Sequence, residues 1–240
     1  MRITCFLLLL FMAVPCVAQN TDINEAVTKT DSLTPDPFYR EDQFYASISY
    51  NLVQNKVDQY SQNAFSSGFT FGFLRDMPIN EARTYAVAIG LGYSYNNIKQ
   101  NLFVYETQER GETTRAYEVV DEGSFDKSKQ VLHYLEIPLE LRWRNSTSYS
   151  HKFWRVYTGF KVSYLIGDHS YFGASGGEVR VRNNPDLNKL LCGAYVSAGW
   201  NTWNFYTYYG FTPIYKDAYT VKGEKINLSS LNIGLIFYIL

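Results

Sequence analysis

Three clusters carry side chains of the kinds that chemistry uses. The first is Asp168-His169-Ser170 in "GDHSYFGASGG", where acid, base and hydroxyl follow one another. A catalytic triad is a spatial arrangement rather than a run of neighbours, so the string alone does not amount to a relay. The second is the carboxylate pair Glu136 and Glu140. In an extended strand they stand roughly 13 Å apart, beyond the spacing used to attack glycosides, and a structural plug is the simpler reading. The third is Ser175-Gly176-Gly177, a glycine cluster with no helix after it to cradle a phosphate. His133 and His151 read as an interfacial residue and a turn residue, and no Cys/His constellation supports a metal. These side chains predict a protein that is not an enzyme and carries no cofactor. A reaction run by Asp168 and His169 from an external loop is the enzymatic alternative.

The elements that hold these residues follow a period of two. "HYLEIPLELRWR", residues 133–144, sets Leu135, Ile137, Leu139, Leu141 and Trp143 against Glu136, Pro138, Glu140, Arg142 and Arg144. The same period recurs near 44–53, 65–75, 85–96, 153–166, 189–201, 204–214 and 230–240, which makes eight strands. The linkers alternate. Those at 54–64, 97–130, 167–188 and 215–229 are long, and those at 76–84, 145–152 and 202–203 are short. An even-numbered barrel with both termini on one side of a membrane sorts its connections in this way.

Composition fits an exported chain. Arg2, the apolar run "CFLLLLFMAV" and Cys16-Val17-Ala18 read as a signal peptide over 1–18. A lipidated Cys16 is an alternative, though Pro15 sits where a small residue is wanted. Residues 19–43 carry Pro35 and Pro37 without any period and read as a flexible polar leader, in which Asp31-Ser32-Leu33 has the form of a glycan-acceptor triplet. With residues 1–18 removed, Cys192 is the remaining cysteine, so no internal disulfide is expected. The net charge of −1 and the lack of a basic block give nucleic acid nothing to bind.

Two architectures satisfy eight alternating strands, a soluble barrel with bulky residues inside and a membrane barrel with them outside. In "YAVAIGLGYSYN" one face is Tyr85, Val87, Ile89, Leu91, Tyr93, Tyr95 and the other is Ala86, Ala88, Gly90, Gly92, Ser94, Asn96. Eight strands enclose little more than their own side chains, so the small face belongs inside. The fold class predicted is therefore an all-β, eight-stranded antiparallel up-and-down transmembrane β-barrel over 44–240, in the outer membrane. Its lumen would hold a structural charge network of Glu136, Glu140, Arg142, Arg144, Arg155 and Lys161, because charge facing lipid costs roughly 2–4 kcal/mol at the midplane. A bulge or broken pairing is expected at Pro138. Trp143, Trp154, Trp200 and Trp203 all flank short turns and would form the periplasmic girdle.

"LHYLEIPLELRW", residues 132–143, resembles the "YLEIPL" signature of the PorT-like outer-membrane β-barrel family, and "AVAIGLGYSY" and "LNIGLIFYIL" fit the same pattern. The resemblance spans about residues 44–240 and implies a small envelope barrel with a cleaved signal, for which an accessory part in type IX protein secretion and a general envelope-structure or adhesion role are comparable readings. Partners would be the lipid bilayer and envelope or secretion proteins, met through loops 97–130 and 167–188 or the leader 19–43. A narrow passive channel is the alternative.

Overall fold

The structure, a computed structural model, describes residues 42–62, 64–109, 111–145 and 154–239. The expected signal peptide, nearly all of the leader, and His151 lie outside the described residues.

Among the described residues eleven strands are present: β1 Gln43–Gln54, β2 Ser67–Pro78, β3 Tyr85–Lys99, β4 Leu102–Glu109, β5 Glu112–Val119, β6 Lys127–Arg144, β7 Trp154–Ala174, β8 Gly177–Arg182, β9 Leu190–Trp200, β10 Trp203–Gly210 and β11 Ser229–Ile239. Neighbours run in the order β6-β3-β2-β1-β11-β10-β9-β7-β8, and a further β6–β7 pairing joins the two ends. Eight strands thus form a closed antiparallel barrel, and β8 hangs on the outer end of β7. Closure leaves no sheet edge within the bilayer, which hydrocarbon requires because no water is there to satisfy an open edge.

The faces sort by size. Along β6, Leu135, Ile137, Leu139 and Leu141 are exposed, whereas Glu136, Glu140, Arg142 and Arg144 are almost wholly buried. Phe44, Ile89, Phe160 and Phe205 are exposed on their strands as well, and Ala86 and Ala88 are buried. Close packing explains the small inward residues. A Cβ added to Gly92 would sit 2.1 Å from the Tyr45 hydroxyl oxygen, so only glycine leaves room for that ring. Arg75 departs from the rule that strand charges face inward: it is exposed beside the buried Leu74 and Asp76, close to the 79–84 turn. There its long stem can carry the guanidinium out of the apolar band.

The four tryptophans gather at one end. Trp154 pairs with Trp200, which also pairs with Trp203. Trp203 meets Phe237 edge-on at 4.8 Å. Aromatic rings of this kind favour a boundary between an apolar phase and water.

At Pro138 the ladder to β3 is interrupted: pairing runs from Ile89↔Leu139 to Gly92↔Glu136 and skips Ile137 and Pro138. On the β7 side pairing continues, Pro138 facing Lys161, and the bulge falls higher up, between His133 and Tyr134. That bulge shifts the outward phase of β7 from even to odd numbers, since Leu135 faces Tyr164 whereas His133 faces Gly167.

Two of the long connections are not loops. Residues 97–130 contain the β4–β5 hairpin, and within 167–188 β7 runs on to Ala174 and turns back as β8. The outward half of β4–β5 is polar ("ETQE", "ETTR") and shows no apolar alternation, whereas β8, "GEVRVR", does alternate Val179 and Val181 with Glu178, Arg180 and Arg182, over only six residues. What stabilises them is a second core. Ile98, Leu102, Val104, Tyr117, Leu132 and Leu187 belong to a buried cluster over the external mouth. The inward face of β6 thus changes character along its length, from Arg144, Arg142 and Glu140 at the tryptophan end to Tyr134 and Leu132 outside. Below, the barrel is inverted to suit lipid; above, it packs apolar-inward like a water-soluble domain.

Candidate functional site

The lumen is filled by a polar lattice. Alternation on β6 aims Glu136, Glu140, Arg142 and Arg144 inward, and antiparallel pairing brings Arg155 opposite Arg144 and Tyr157 opposite Arg142. At the base sits Asp76 of β2, absent from the sequence-based set. Its Oδ1 accepts from Arg142 Nη1 at 2.9 Å and from Arg144 Nη1 at 2.9 Å, and its Oδ2 accepts from Arg144 Nη2 at 2.9 Å. Arg142 also donates through Nε to Glu140 at 2.7 Å and stacks over Tyr157, its guanidinium carbon 4.8 Å from the ring centre. Glu140 accepts in addition from the Tyr195 hydroxyl at 2.7 Å.

Higher up, Lys161 lies 3.0 Å from Glu136 and donates to the Tyr206 hydroxyl at 3.2 Å. Its ammonium also sits 4.5 Å from the Tyr208 ring centre. Arg155 is placed over the rings of Tyr157 and Tyr238, at 5.9 and 5.7 Å. Glu136, Glu140 and Asp76 are thus held by Lys161, Arg142 and Arg144, with tyrosines filling the space between. Buried charges are tolerated only when partnered in this way, since removal from water costs several kcal/mol per ion. Among the described residues, a cavity of about 10 Å³ at mid-barrel is bordered by Tyr45, Glu136, Pro138, Glu140, Lys161 and Tyr206. That is about the room of a single water.

A hydrogen-bonded external cap lies above the lumen lattice. Tyr60 donates to Gln100 at 2.6 Å, Gln100 to Gln130 at 3.2 Å, and Tyr215 to the same Gln130 oxygen at 2.8 Å. Tyr117, on the β5 arm of the hairpin, donates to Asp186 at 2.7 Å and accepts from Asn184 at 2.9 Å. Its ring meets Tyr215 edge-on at 5.4 Å. Burial raises the hydroxyl pKa of Tyr60, Tyr117 and Tyr215 above the ordinary 10.0, so all three remain proton donors in this network. The β4–β5 hairpin is thereby tied to the 183–188 segment and to the barrel mouth.

Asp168, His169 and Ser170 do not converge. After the β6–β7 bulge, Asp168 and Ser170 face the inside with their partners Leu132 and Gln130, and His169 faces out with Val131. Asp168 accepts from the Asn184 backbone N–H at 3.1 Å, and its carboxyl pKa is raised, chiefly by burial. The His169 pKa is lowered, first by burial and then by Lys129 and other neighbouring cations. His133 is half-buried on the outer face, its Nδ1 2.6 Å from the Tyr93 hydroxyl, in the aromatic collar of Tyr93 and Tyr95. Among the described residues no group of His, Cys, Asp and Glu could hold a metal ion.

Comparison with curated proteins finds no match. Among solved structures, the chain is similar to Ail, the attachment invasion locus protein of Yersinia pestis, solved in complex with the heparin analogue sucrose octasulfate. The TM-score is 0.38 and the identity 11%, over 83% of this chain and 99% of that one. It is also similar to a mutant of Rh. blastica porin, with a TM-score of 0.20 and 8% identity over 84% and 100% of the two chains. The family model described as "Outer membrane protein beta-barrel domain" matches residues 18–216. With that match over most of its length and a closed eight-stranded barrel turned bulky-side out, the chain belongs to the outer membrane protein β-barrel domain family and resides in the outer membrane.

Proposed function

We propose that this protein is a sealed, non-enzymatic barrel whose work is structural or adhesive and is done by its folded external cap. The observation that carries the reading is the filled interior: ion pairs and tyrosines leave about 10 Å³ at mid-barrel. A narrow passive channel, the alternative, needs a continuous wet path that this packing does not offer. A barrel enzyme using Asp168 and His169 would need the two on one face, and β7 holds them on opposite ones.

The lumen lattice of Asp76, Glu136, Glu140, Arg142, Arg144, Arg155 and Lys161 acts as a structural plug, and the four tryptophans anchor the periplasmic rim. The finer role follows the resemblance of "YLEIPL" to the PorT-like barrels: an accessory part of type IX secretion, contacting envelope proteins through the β4–β5 hairpin, the β7–β8 extension or the leader.

Two measurements test this together. Single-channel recordings of the purified barrel should stay at the bare-bilayer baseline. Replacing residues 102–119 with a short Gly-Ser turn should leave insertion intact and abolish cargo secretion. Stepwise currents from the wild-type protein would refute the sealed barrel, and normal secretion by the hairpin deletion would remove the secretion role.

A further inference from the structure

Outside the cap and the lumen, one surface gathers an excess of positive charge. β6, β7 and β8 form a three-stranded flap above the apolar band, and its rows are set by register. Lys129 pairs with Tyr171, which pairs with Arg180; Val131 pairs with His169, which pairs with Arg182. Residues paired across strands share a face, so Lys129, Tyr171, Arg180, His169 and Arg182 all lie on the outer side. Lys127 joins them opposite Gly173, whose lack of a side chain makes room for the Tyr171 ring: an added Cβ would sit 3.0 Å from its hydroxyl oxygen.

The result is a cleft of about 260 Å³ lined by Lys127, Lys129, His169, Tyr171, Arg180 and Arg182. No carboxylate lines it. Glu178, at the rim, is occupied by Arg180 at 3.1 Å. The Tyr171 ring is the platform, with the Lys127 ammonium 5.8 Å and the Arg180 guanidinium 5.2 Å from its centre. Glu178 shares this face, opposite Gly173, and is bonded to the Tyr171 hydroxyl as well as to Arg180. Four cations against that one carboxylate leave the wall net positive, and it gains from a multivalent anion.

Position says which anion. The cleft lies on the lipid-facing side of the strands, not on the cap's top. Below it the same face continues to His133, Tyr93 and Tyr95, and then to the exposed Leu135 and Ile137. Lys129 is four residues beyond His133, about 13 Å along the strand at ~3.3 Å per residue. With a strand tilt of about 40° that places it roughly 10 Å above the aromatic collar, at headgroup depth. We propose that this cleft is a docking site for the phosphate groups of an outer-leaflet glycolipid, with Lys129, Arg180 and Arg182 as phosphate ligands, Lys127 closing the rim, and the collar below receiving the start of the acyl chains. Arg suits the role because its planar fork takes two phosphate oxygens at once.

The test uses the full chain in nanodiscs, with diphosphoryl lipid A, monophosphoryl lipid A and soluble inositol hexakisphosphate as separate probes read by native mass spectrometry. Wild type should retain diphosphoryl lipid A at least tenfold better than the K129A/R182A variant and several-fold better than it retains the monophosphoryl form. K56A/K225A, which removes two cations at a different external site, should bind as wild type, and Lys129→Arg in the otherwise native chain should keep binding. As a second readout, bound lipid should protect Lys127 and Lys129 from reductive methylation. Equal retention by wild type and K129A/R182A, or unprotected lysines in lipid-loaded wild type, would overturn the site. Tighter binding of inositol hexakisphosphate than of lipid A would overturn the choice of a lipid ligand.

Discussion

Replacing Asp76 with alanine tests the lumen lattice where it is most concentrated. The Asp76 side chain is 0% exposed, as are those of Arg142 and Arg144, and it takes three bonds of 2.9 Å from the two guanidiniums. Removing one partner of a buried pair costs about 3–5 kcal/mol, because the surviving charge has no water to return to. Two features temper the loss: Arg142 keeps Glu140 at 2.7 Å, and Arg144 keeps the Arg83 carbonyl at 3.0 Å. The expected destabilisation is therefore near the lower end, about 3 kcal/mol. Denaturant unfolding in detergent micelles, followed by the fluorescence of the girdle tryptophans, measures it directly. The double variant D76A/R144M, which leaves the Arg142–Glu140 pair in place, should recover most of the loss, since it removes the guanidinium that depends most on Asp76 along with the acid. A D76A barrel within about 0.5 kcal/mol of wild type, the range of neutral surface changes, would refute the claim that this lattice supports the fold. If D76A fails to insert, D76N keeps one acceptor and should lose less.

Two further outcomes follow from the geometry. Leu139→Arg, on the exposed face of β6, should destabilise the barrel by roughly 2–4 kcal/mol in lipid, whereas Lys222→Glu on the exposed cap should change stability by less than about 0.5; equal effects would mean that the inner and outer faces are misassigned. Asp168 gives a pH signature. Its raised pKa means the folded cap holds this proton more tightly than the unfolded chain, so its contribution is full below the ordinary 3.8 and lost as pH rises through the folded value. His169, lowered below 6.5, runs the other way: its contribution is present above that value and lost as pH falls through the folded one. Asp168→Asn should therefore raise hydrogen-exchange protection of the Asn184 amide at neutral pH and leave it unchanged below about pH 3.8; a mutant that exchanges faster at pH 7 would show that the carboxylate helps the cap.

The barrel was legible because lipid writes a strong code: each spanning strand alternates a bulky apolar side chain with a small or charged one, and the tryptophans mark the end with short turns. Asp76 was missed for a local reason. The strand was expected to end at residue 75, so a carboxylate in phase with Leu74 and the inward glycines fell into the turn. The same alternation that aimed Glu136 inward would have found it with the strand extended to Pro78. The β4–β5 hairpin escaped because its outer half is polar on both faces, and β8 because its alternation, two valines in "GEVRVR", is so short. The cap core escaped for a different reason. Leu132 and Tyr134 share the inward phase of Glu136, and only the barrel's height above the membrane tells that an apolar side chain is wanted there. The bulge at His133/Tyr134 could not be read either, and it decides on which sides Asp168 and His169 stand.

The change of polarity along β6 means that one strand lives in two solvents. Leu135 is held by hydrocarbon and Leu132 by its neighbours in the cap, three residues away on the same strand. A short-chain detergent that thins the belt around Leu135 leaves the upper storey untouched. Urea added outside intact cells reaches that storey while the bilayer shields the lower one. Urea outside intact cells should therefore unfold the external half while the barrel stays in the membrane.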